Sequence, residues 1–375
     1  MKSFWVLVFL LLLSSILFAQ QAEPPTFRAS TTDVLVPTLV TDDQGQVIFG
    51  LTAKDFVIRD NGVQRTVRMD ESFSSKPVSM VVAVQTGGRA PAVIGSGCAL
   101  QRATNEYERA AGKCNSTLHG IALSLETFVS QPGSEMALVS FDSSVKLRRD
   151  FTAEISQVTK ALDTLPGGDS DSALLDALQF SLNMLKKRSP ERRRVLVAIS
   201  EQKDHGSRNV TLDEAAREII ASDVELYMVA YPPSFASTMS SVAKLFGPAR
   251  SAPPSSLGPI GNQPAQTAAM SLDVMGLMSL LHSSSSEMDS NVPQAIANLT
   301  GGEYVLFHNE KGLDEALGNL ANHAHNRYQL SFTVKDPEPG PHRLEVFLRD
   351  GSAARIYARA GYWPVTTPGE SSKTK

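Results

Sequence analysis

The chain has 375 residues, 42% apolar and 20% charged, with a formal net charge of −4. That composition excludes disorder throughout and supplies apolar material for one large domain or two ordinary ones. The balance is weakly acidic and no basic face extends the short run Arg192-Arg-Arg194, so nothing predicts a nucleic-acid partner. That run is expected to be a solvated corner between a helix and a strand.

Residues 1–19 combine Lys2, an apolar core from Phe4 to Leu13, and Leu17-Phe18-Ala19 before Gln20. This is the three-part pattern of a secretory signal peptide, with an uncleaved anchor helix as the other reading. No later stretch reaches the ~18 apolar residues a span needs, and no cysteine near the cleavage site could carry a lipid. The mature chain is therefore expected in the periplasm or outside the cell, with no stable membrane span.

From 27 to 75 the pattern alternates apolar and polar residues over Thr32 to Val40, Phe56 to Arg59 and Val63 to Met69. The turn signals Asp42-Asp-Gln-Gly45 and Asp60-Asn-Gly62 separate these runs, so three antiparallel strands are predicted. From 76 to 326 strands and helices alternate. Strands are predicted at Val78 to Gln85, Glu135 to Phe141, Val145 to Phe151, Val195 to Glu201, Val224 to Tyr231 and Glu303 to Phe307. Most are continuous apolar runs, as expected where both faces of a strand are covered. Helical spacing links Leu118, Ile121, Leu125 and Phe128, then Leu174, Leu178, Leu182 and Leu185, then Ala215 and Ile219. Thr211 and Glu214 form a capping box, and Asp171 and Ser172 suit a helix N-terminus after the turn Pro166-Gly-Gly168.

Two insertions interrupt this portion, at 89–115 and 232–291. The first holds Cys98 and Cys114, the only cysteines. In an oxidising compartment a disulfide closing so short a loop would stabilise by roughly 3 kcal/mol; free thiols or a metal pair would lack partners for zinc. The second is rich in Pro, Gly and Ser around a Met-rich stretch from Met270 to Leu281. It reads as a flexible insertion or a functional arm. From 327 to 363, Tyr328 to Val334, His342 to Leu348 and Ala354 to Ala360 alternate again, and 364–375 is expected to be a disordered tail. Neither terminal set can bury a core alone, so the two should pair into one antiparallel β-sandwich. The predicted fold class is a doubly wound, mostly parallel α/β domain, Rossmann-like in its winding, inserted into that sandwich.

Several segments in order resemble the secreted bacterial VWFA-related family, proteins with a von Willebrand factor type A (VWA) domain framed by β segments. They are Val36-Pro-Thr-Leu-Val-Thr-Asp42, Gly50-Leu-Thr-Ala-Lys-Asp-Phe56, Val78 to Ala90, Pro166-Gly-Gly to Leu178, Val195 to Glu201 and Thr300-Gly-Gly302. The close carries Tyr328-Gln-Leu-Ser-Phe332, His342-Arg-Leu-Glu-Val346 and Arg359-Ala-Gly-Tyr-Trp363. The resemblance implies a metal-ion-dependent adhesion site whose first loop reads Asp-x-Ser-x-Ser. Here those positions are Gln85, Gly87 and Arg89, an amide, no side chain and a cation. They are poor ligands for magnesium, which takes hard oxygen donors. The threonine of the second loop falls on Ser172 and the aspartate of the third on Glu201. The site is thus expected to be degenerate and to hold no metal, with Arg89 either paired to Glu201 in the cation's place or turned to solvent.

Other constellations are weaker. Asp169, Asp171 and Asp176 could gather a hard cation, but aspartates at a helix start commonly act as caps. Asp204-His205 lies near serines without a Gly-x-Ser-x-Gly elbow, and His323 and His325 point to different helix faces. The expected function is an exported, non-enzymatic, adhesion-like module that binds another protein without a cofactor. The alternatives are a residual magnesium-dependent module using Ser172 and Glu201, a hydrolase on unrecognised residues, and a structural spacer in the bacterial envelope.

Overall fold

The computed structural model describes residues 31–94, 116–232, 292–308 and 310–364. The signal-peptide segment, Cys98 and Cys114, most of both insertions and nearly all of the tail lie outside the described residues.

A six-stranded sheet forms the centre, in the order β10-β9-β8-β5-β6-β7. Its strands are β5 (Val78–Gln85), β6 (Glu135–Phe141), β7 (Val145–Thr152), β8 (Arg193–Glu201), β9 (Val224–Tyr231) and β10 (Tyr304–Leu306). All pairings are parallel except β6 with β7. β5 and β9 are buried along their whole length, which explains their unbroken apolar sequences. α1 (Ala90–Val93), α2 (Ser116–Phe128), α3 (Ile155–Asp163) and α7 (Glu310–His325) cover one face, through residues such as Ile121, Leu125, Val158 and Leu317. α4 (Leu174–Lys186), α5 (Leu212–Ala221) and α6 (Val292–Leu299) cover the other, through Leu178, Leu182, Ile219 and Ile296. The capping box forms as expected: the Glu214 N–H donates to Thr211 Oγ1 at 3.3 Å, and the Thr211 N–H to Glu214 Oε2 at 2.9 Å.

The terminal segments do pair into a sandwich. One sheet is ordered β13-β1-β11-β4, from β1 (Thr31–Thr41), β4 (Arg68–Asp70), β11 (Tyr328–Lys335) and β13 (Arg355–Ala358). The other is β14-β12-β2-β3, from β2 (Phe56–Asp60), β3 (Val63–Arg65), β12 (His342–Leu348) and β14 (Gly361–Tyr362). β1 and β11 run antiparallel with Val34 opposite Phe332 and Val36 opposite Leu330, although the central domain separates them in sequence. Val34, Val36, Phe56, Ile58, Leu330, Phe332 and Tyr362 fill the core between the sheets.

Two sequence expectations are corrected. Val63 to Met69 is two strands, not one: β3 pairs with β2 and β4 with β11, so the chain changes sheets at Thr66-Val67. One continuous strand could not serve both layers of the sandwich. Nor is Arg192-Arg-Arg194 a solvated corner. Arg193 is buried, lies 3.1 Å from Glu225, donates to the Ala324 carbonyl and packs over the Phe73 ring. Arg192 donates to Ser79 Oγ and to two backbone carbonyls, and Arg194 to the Arg188 carbonyl.

Arg193 belongs to a buried network at the N-terminal ends of the parallel strands. The Tyr227 hydroxyl donates to Glu225 at 2.9 Å and accepts from Arg327 Nε at 3.1 Å. Arg327 also donates to Glu303 at 2.8 Å, and His323 Nδ1 lies 2.8 Å from that carboxylate. Burial pushes the Tyr227 phenol well above its ordinary pKa. Arg327 immediately precedes β11, so these ion pairs sit where the central domain joins the sandwich. Arg359 adds a second tie, donating to Asp223 at 3.2 Å and to the carbonyls of Ile220 and Ser222.

Candidate functional site

The C-terminal ends of the parallel strands bring together three loops. The first follows β5 at Gln85 to Arg89, the second runs from Pro166 to Ala173 before α4, and the third follows β8 from Glu201 to Asn209. Backbone bonds lace the first two to the turn after β6. The Thr86 N–H donates to the Phe141 carbonyl, Gly88 to Asp169, Gly168 to Thr86 and Ala173 to Asp142, each at 2.7 Å. Such close approach depends on glycine. A Cβ at position 87 would lie 2.2 Å from the Asp171 carbonyl oxygen, and one at 88, where φ is +57°, would lie 2.8 Å from Glu201 Oε1.

Gln85 and Glu201, on neighbouring strands, are buried and directly joined. Gln85 Nε2 donates to Glu201 Oε1 at 2.7 Å and to the Gly87 carbonyl at 3.1 Å, while Gln85 Oε1 accepts the Glu201 N–H at 2.8 Å. Because its oxygen is engaged by that backbone amide, Gln85 presents N–H groups to the carboxylate. His205 Nε2 lies 2.7 Å from the same Glu201 oxygen, with its side chain 39% exposed against 5% for Glu201. A proton on Nε2 completes a second donor to Oε1.

Ser172 is also brought to this edge. Its carbonyl accepts the His205 N–H at 3.1 Å, and its buried hydroxyl has no hydrogen-bond partner among the described residues. It does not cap α4, and neither does Asp171; the N-cap is Ala173, without a side-chain cap bond. The third loop supplies the cap from a distance. Asp204 Oδ1 accepts the Leu175 N–H at 3.3 Å, and Ser207 Oγ accepts that of Asp176 at 3.1 Å. Asp176 in turn accepts the Arg208 and Asn209 N–H groups, fixing the loop against the helix.

Arg89 is exposed and forms no ion pair with Glu201, so the pairing proposed from sequence does not occur. Its place beside the carboxylate is taken by Gln85 and His205. His205 lies four residues beyond Glu201 but carried no motif that would reveal this contact. Asp142 is held by Lys146 Nζ at 2.7 Å and by Ser144. Burial pushes the Asp142 carboxyl up, but the Lys146 and Ser144 hydrogen bonds outweigh it and leave its pKa lowered. Asp169 is lowered chiefly by the Ser143 hydroxyl, with the Asp171 N–H next. His323 and His325 turn to different partners, Glu303 and the Thr127 carbonyl.

A magnesium ion takes about six oxygens at about 2.0–2.1 Å in near-octahedral geometry. Of the five positions singled out, Gln85 turns N–H groups to Glu201, Gly87 has no side chain and Arg89 is an exposed cation. Ser172 and Glu201 remain, and one Glu201 oxygen is already engaged by Gln85 and placed against His205. This donor set does not fit the ion.

Residues 100–203 match the family model of the von Willebrand factor type A domain. The match takes in Ser172 and Glu201 and begins after the first loop. No curated protein matches the chain. Among solved structures, a von Willebrand factor type A protein from Catenulispora acidiphila is 8% identical, covering 90% of this chain and 74% of its own, with a TM-score of 0.41. An aerotolerance-related membrane protein from Bacteroides fragilis is 12% identical, covering 65% of this chain and 98% of its own, with a TM-score of 0.36. The PilB minor pilin of Streptococcus sanguinis is 8% identical, covering 67% of this chain and 62% of its own, with a TM-score of 0.39. These likenesses are remote. The family match spans α2 to β8 with the second loop and the first residues of the third, so it is this stretch of the chain that is similar to a von Willebrand factor type A domain.

Proposed function

We propose that this chain is an exported, non-enzymatic protein-binding module that recognises its partner through the C-terminal edge of the central sheet, without a metal ion. The observation that carries this reading is the Gln85 amide donating to Glu201, where a metal ligand would have to offer oxygen. Ligands of open α/β sheets bind outside the carboxyl ends of the strands, and the assignment of binding rather than catalysis rests on the domain family. Asp204 and His205 do not align for hydrolysis: Asp204 accepts from Ser207 and Leu175, and His205 faces Glu201. Export rests on the leader pattern of residues 1–19; no helix among the described residues is long and apolar enough to cross a membrane.

Isothermal titration of the protein with magnesium and with manganese is expected to give no saturable heat. A saturable signal that Glu201→Ala abolishes would overturn the metal-free reading. The unpartnered Ser172 hydroxyl favours one second reading, a residual magnesium site on Ser172 and Glu201, and the same titration decides between them. Immobilised full-length protein is expected to retain a specific envelope protein in the presence of EDTA, and to lose it when the exposed Arg89 and Lys203 are both changed to Glu. Retention of nothing specific would point to a spacer.

A further inference from the structure

We propose that Gln85 and His205 replace the cation as the tie that holds the three loops closed, with Glu201 Oε1 as the point on which they converge. This deepens the metal-free reading above and rests on it. A bound cation would gather loops by drawing their oxygens to one centre. Here the polarity is inverted: the centre is a carboxylate oxygen where β8 enters the third loop, Gln85 donates to it from the first loop, and His205 folds the third loop back onto it from four residues further on. The second loop is tied to both, through the Gly88 N–H on the Asp169 carbonyl and the His205 N–H on the Ser172 carbonyl.

The loops have also closed at the level of the backbone. Besides positions 87 and 88, a Cβ at Gly168 would lie 2.7 Å from the Gly87 nitrogen, and one at Gly206 would lie 2.9 Å from the Ser172 carbonyl carbon. Gly87, Gly168 and Gly206 therefore mark backbone contacts with no room for a side chain, and a side chain at Gly88 would have to push aside Glu201 and Gln85. Putting back an aspartate at 85 and serines at 87 and 89 would restore ligand types without restoring the space. The position-87 side chain would have to displace the Asp171 carbonyl. Closure of this kind makes Gln85 and His205 positioning residues for the binding face.

The test is a charge swap read by amide hydrogen exchange on the full-length protein. Gln85→Glu sets a carboxylate against Glu201 and is expected to speed exchange in residues 166–173 and 202–209 by on the order of tenfold to a hundredfold, the size of a lost charge-assisted hydrogen bond. Adding Glu201→Gln to that variant returns one amide and one carboxylate to the pair and is expected to recover most of the protection. Exchange in Gln85→Glu equal to wild type, or a double variant no better protected than the sum of its singles, would overturn the lock. Should Gln85→Glu fail to fold, His205→Ala gives the same reading with a smaller acceleration, and no acceleration there would overturn it. The wild-type magnesium titration keeps the two ideas apart. Saturable heat sinks the metal-free reading, whereas an uncoupled swap without heat sinks only the lock.

Discussion

At the amino-terminal edge of the central sheet, Arg193, Glu225, Glu303 and Arg327 form a buried network of full charges bridged by the Tyr227 hydroxyl, whereas at the carboxyl edge Glu201 meets a neutral amide and a partly exposed imidazole. The first arrangement pairs guanidinium with carboxylate and lies where the chain passes into the sandwich, so it joins two structural units. The second spends little charge and keeps one member in contact with solvent. Buried ion pairs are costly to break because the remaining charge is stranded. Glu201 is buried as well, so parting it from its amide and imidazole would also strand a carboxylate, although with no second full charge left unpaired beside it.

Variants at the two edges should separate these roles. The largest effect is expected from Arg327→Ala, which leaves the buried Glu303 with only His323 beside it among the described residues and removes a donor from Tyr227; it should cost about 3–5 kcal/mol in chemical denaturation. A loss under about 1 kcal/mol would mean the network is not what joins the units. Gly87→Ser, which introduces the hydroxyl that the resemblance implies at this position, should destabilise by about 1–3 kcal/mol through overpacking against Asp171 and confer no magnesium binding. Stabilisation by magnesium in that variant would show that the carboxyl edge can reopen. Asp204→Ala removes the cap that the third loop lends to α4 and should lower stability by about 1 kcal/mol in thermal unfolding.

Acid should loosen the turns beside the carboxyl edge. Asp142 and Asp169 both have pKa values lowered on folding. Their contribution is therefore present above the unfolded value, about 3.9, and is lost as pH falls through the lower folded values. Exchange protection of residues 142–144 and 169–171 should decline over that window, and protection constant through it would contradict the assignment. The smallest effect belongs to Arg89→Ala, which should change stability by less than about 0.5 kcal/mol. A larger loss would mean that Arg89 is held by something other than solvent.

Much of the fold is legible in the sequence because it follows from periodicity. The uninterrupted apolar runs of β5 and β9 require cover on both faces, and Thr211 with Glu214 fixes the start of α5 within four residues. The alternating terminal segments, each too small for a core, had to meet. The candidate positions Gln85, Ser172 and Glu201 were likewise legible as motif positions, and they do share one edge. What the sequence could not assign were contacts set by distant loops. Arg89 at an implied ligand position suggested an ion pair, yet Arg89 is exposed while the buried Gln85 amide is already in reach of Glu201. Asp171 and Ser172 had capping chemistry, but the third loop delivered Asp204 and Ser207 to the same helix end.

The sequence by itself determined the layers, the mostly parallel strand order and the residue types at Gln85, Gly87 and Arg89, since these depend on residue type and local spacing. Only the tertiary structure decided what hydrogen-bonds Glu201, which charges are buried at the opposite edge, and where Val63 to Met69 changes sheets. Each of those outcomes is set by which groups desolvate together, and burial is a property of the packed chain that no local run of residues contains.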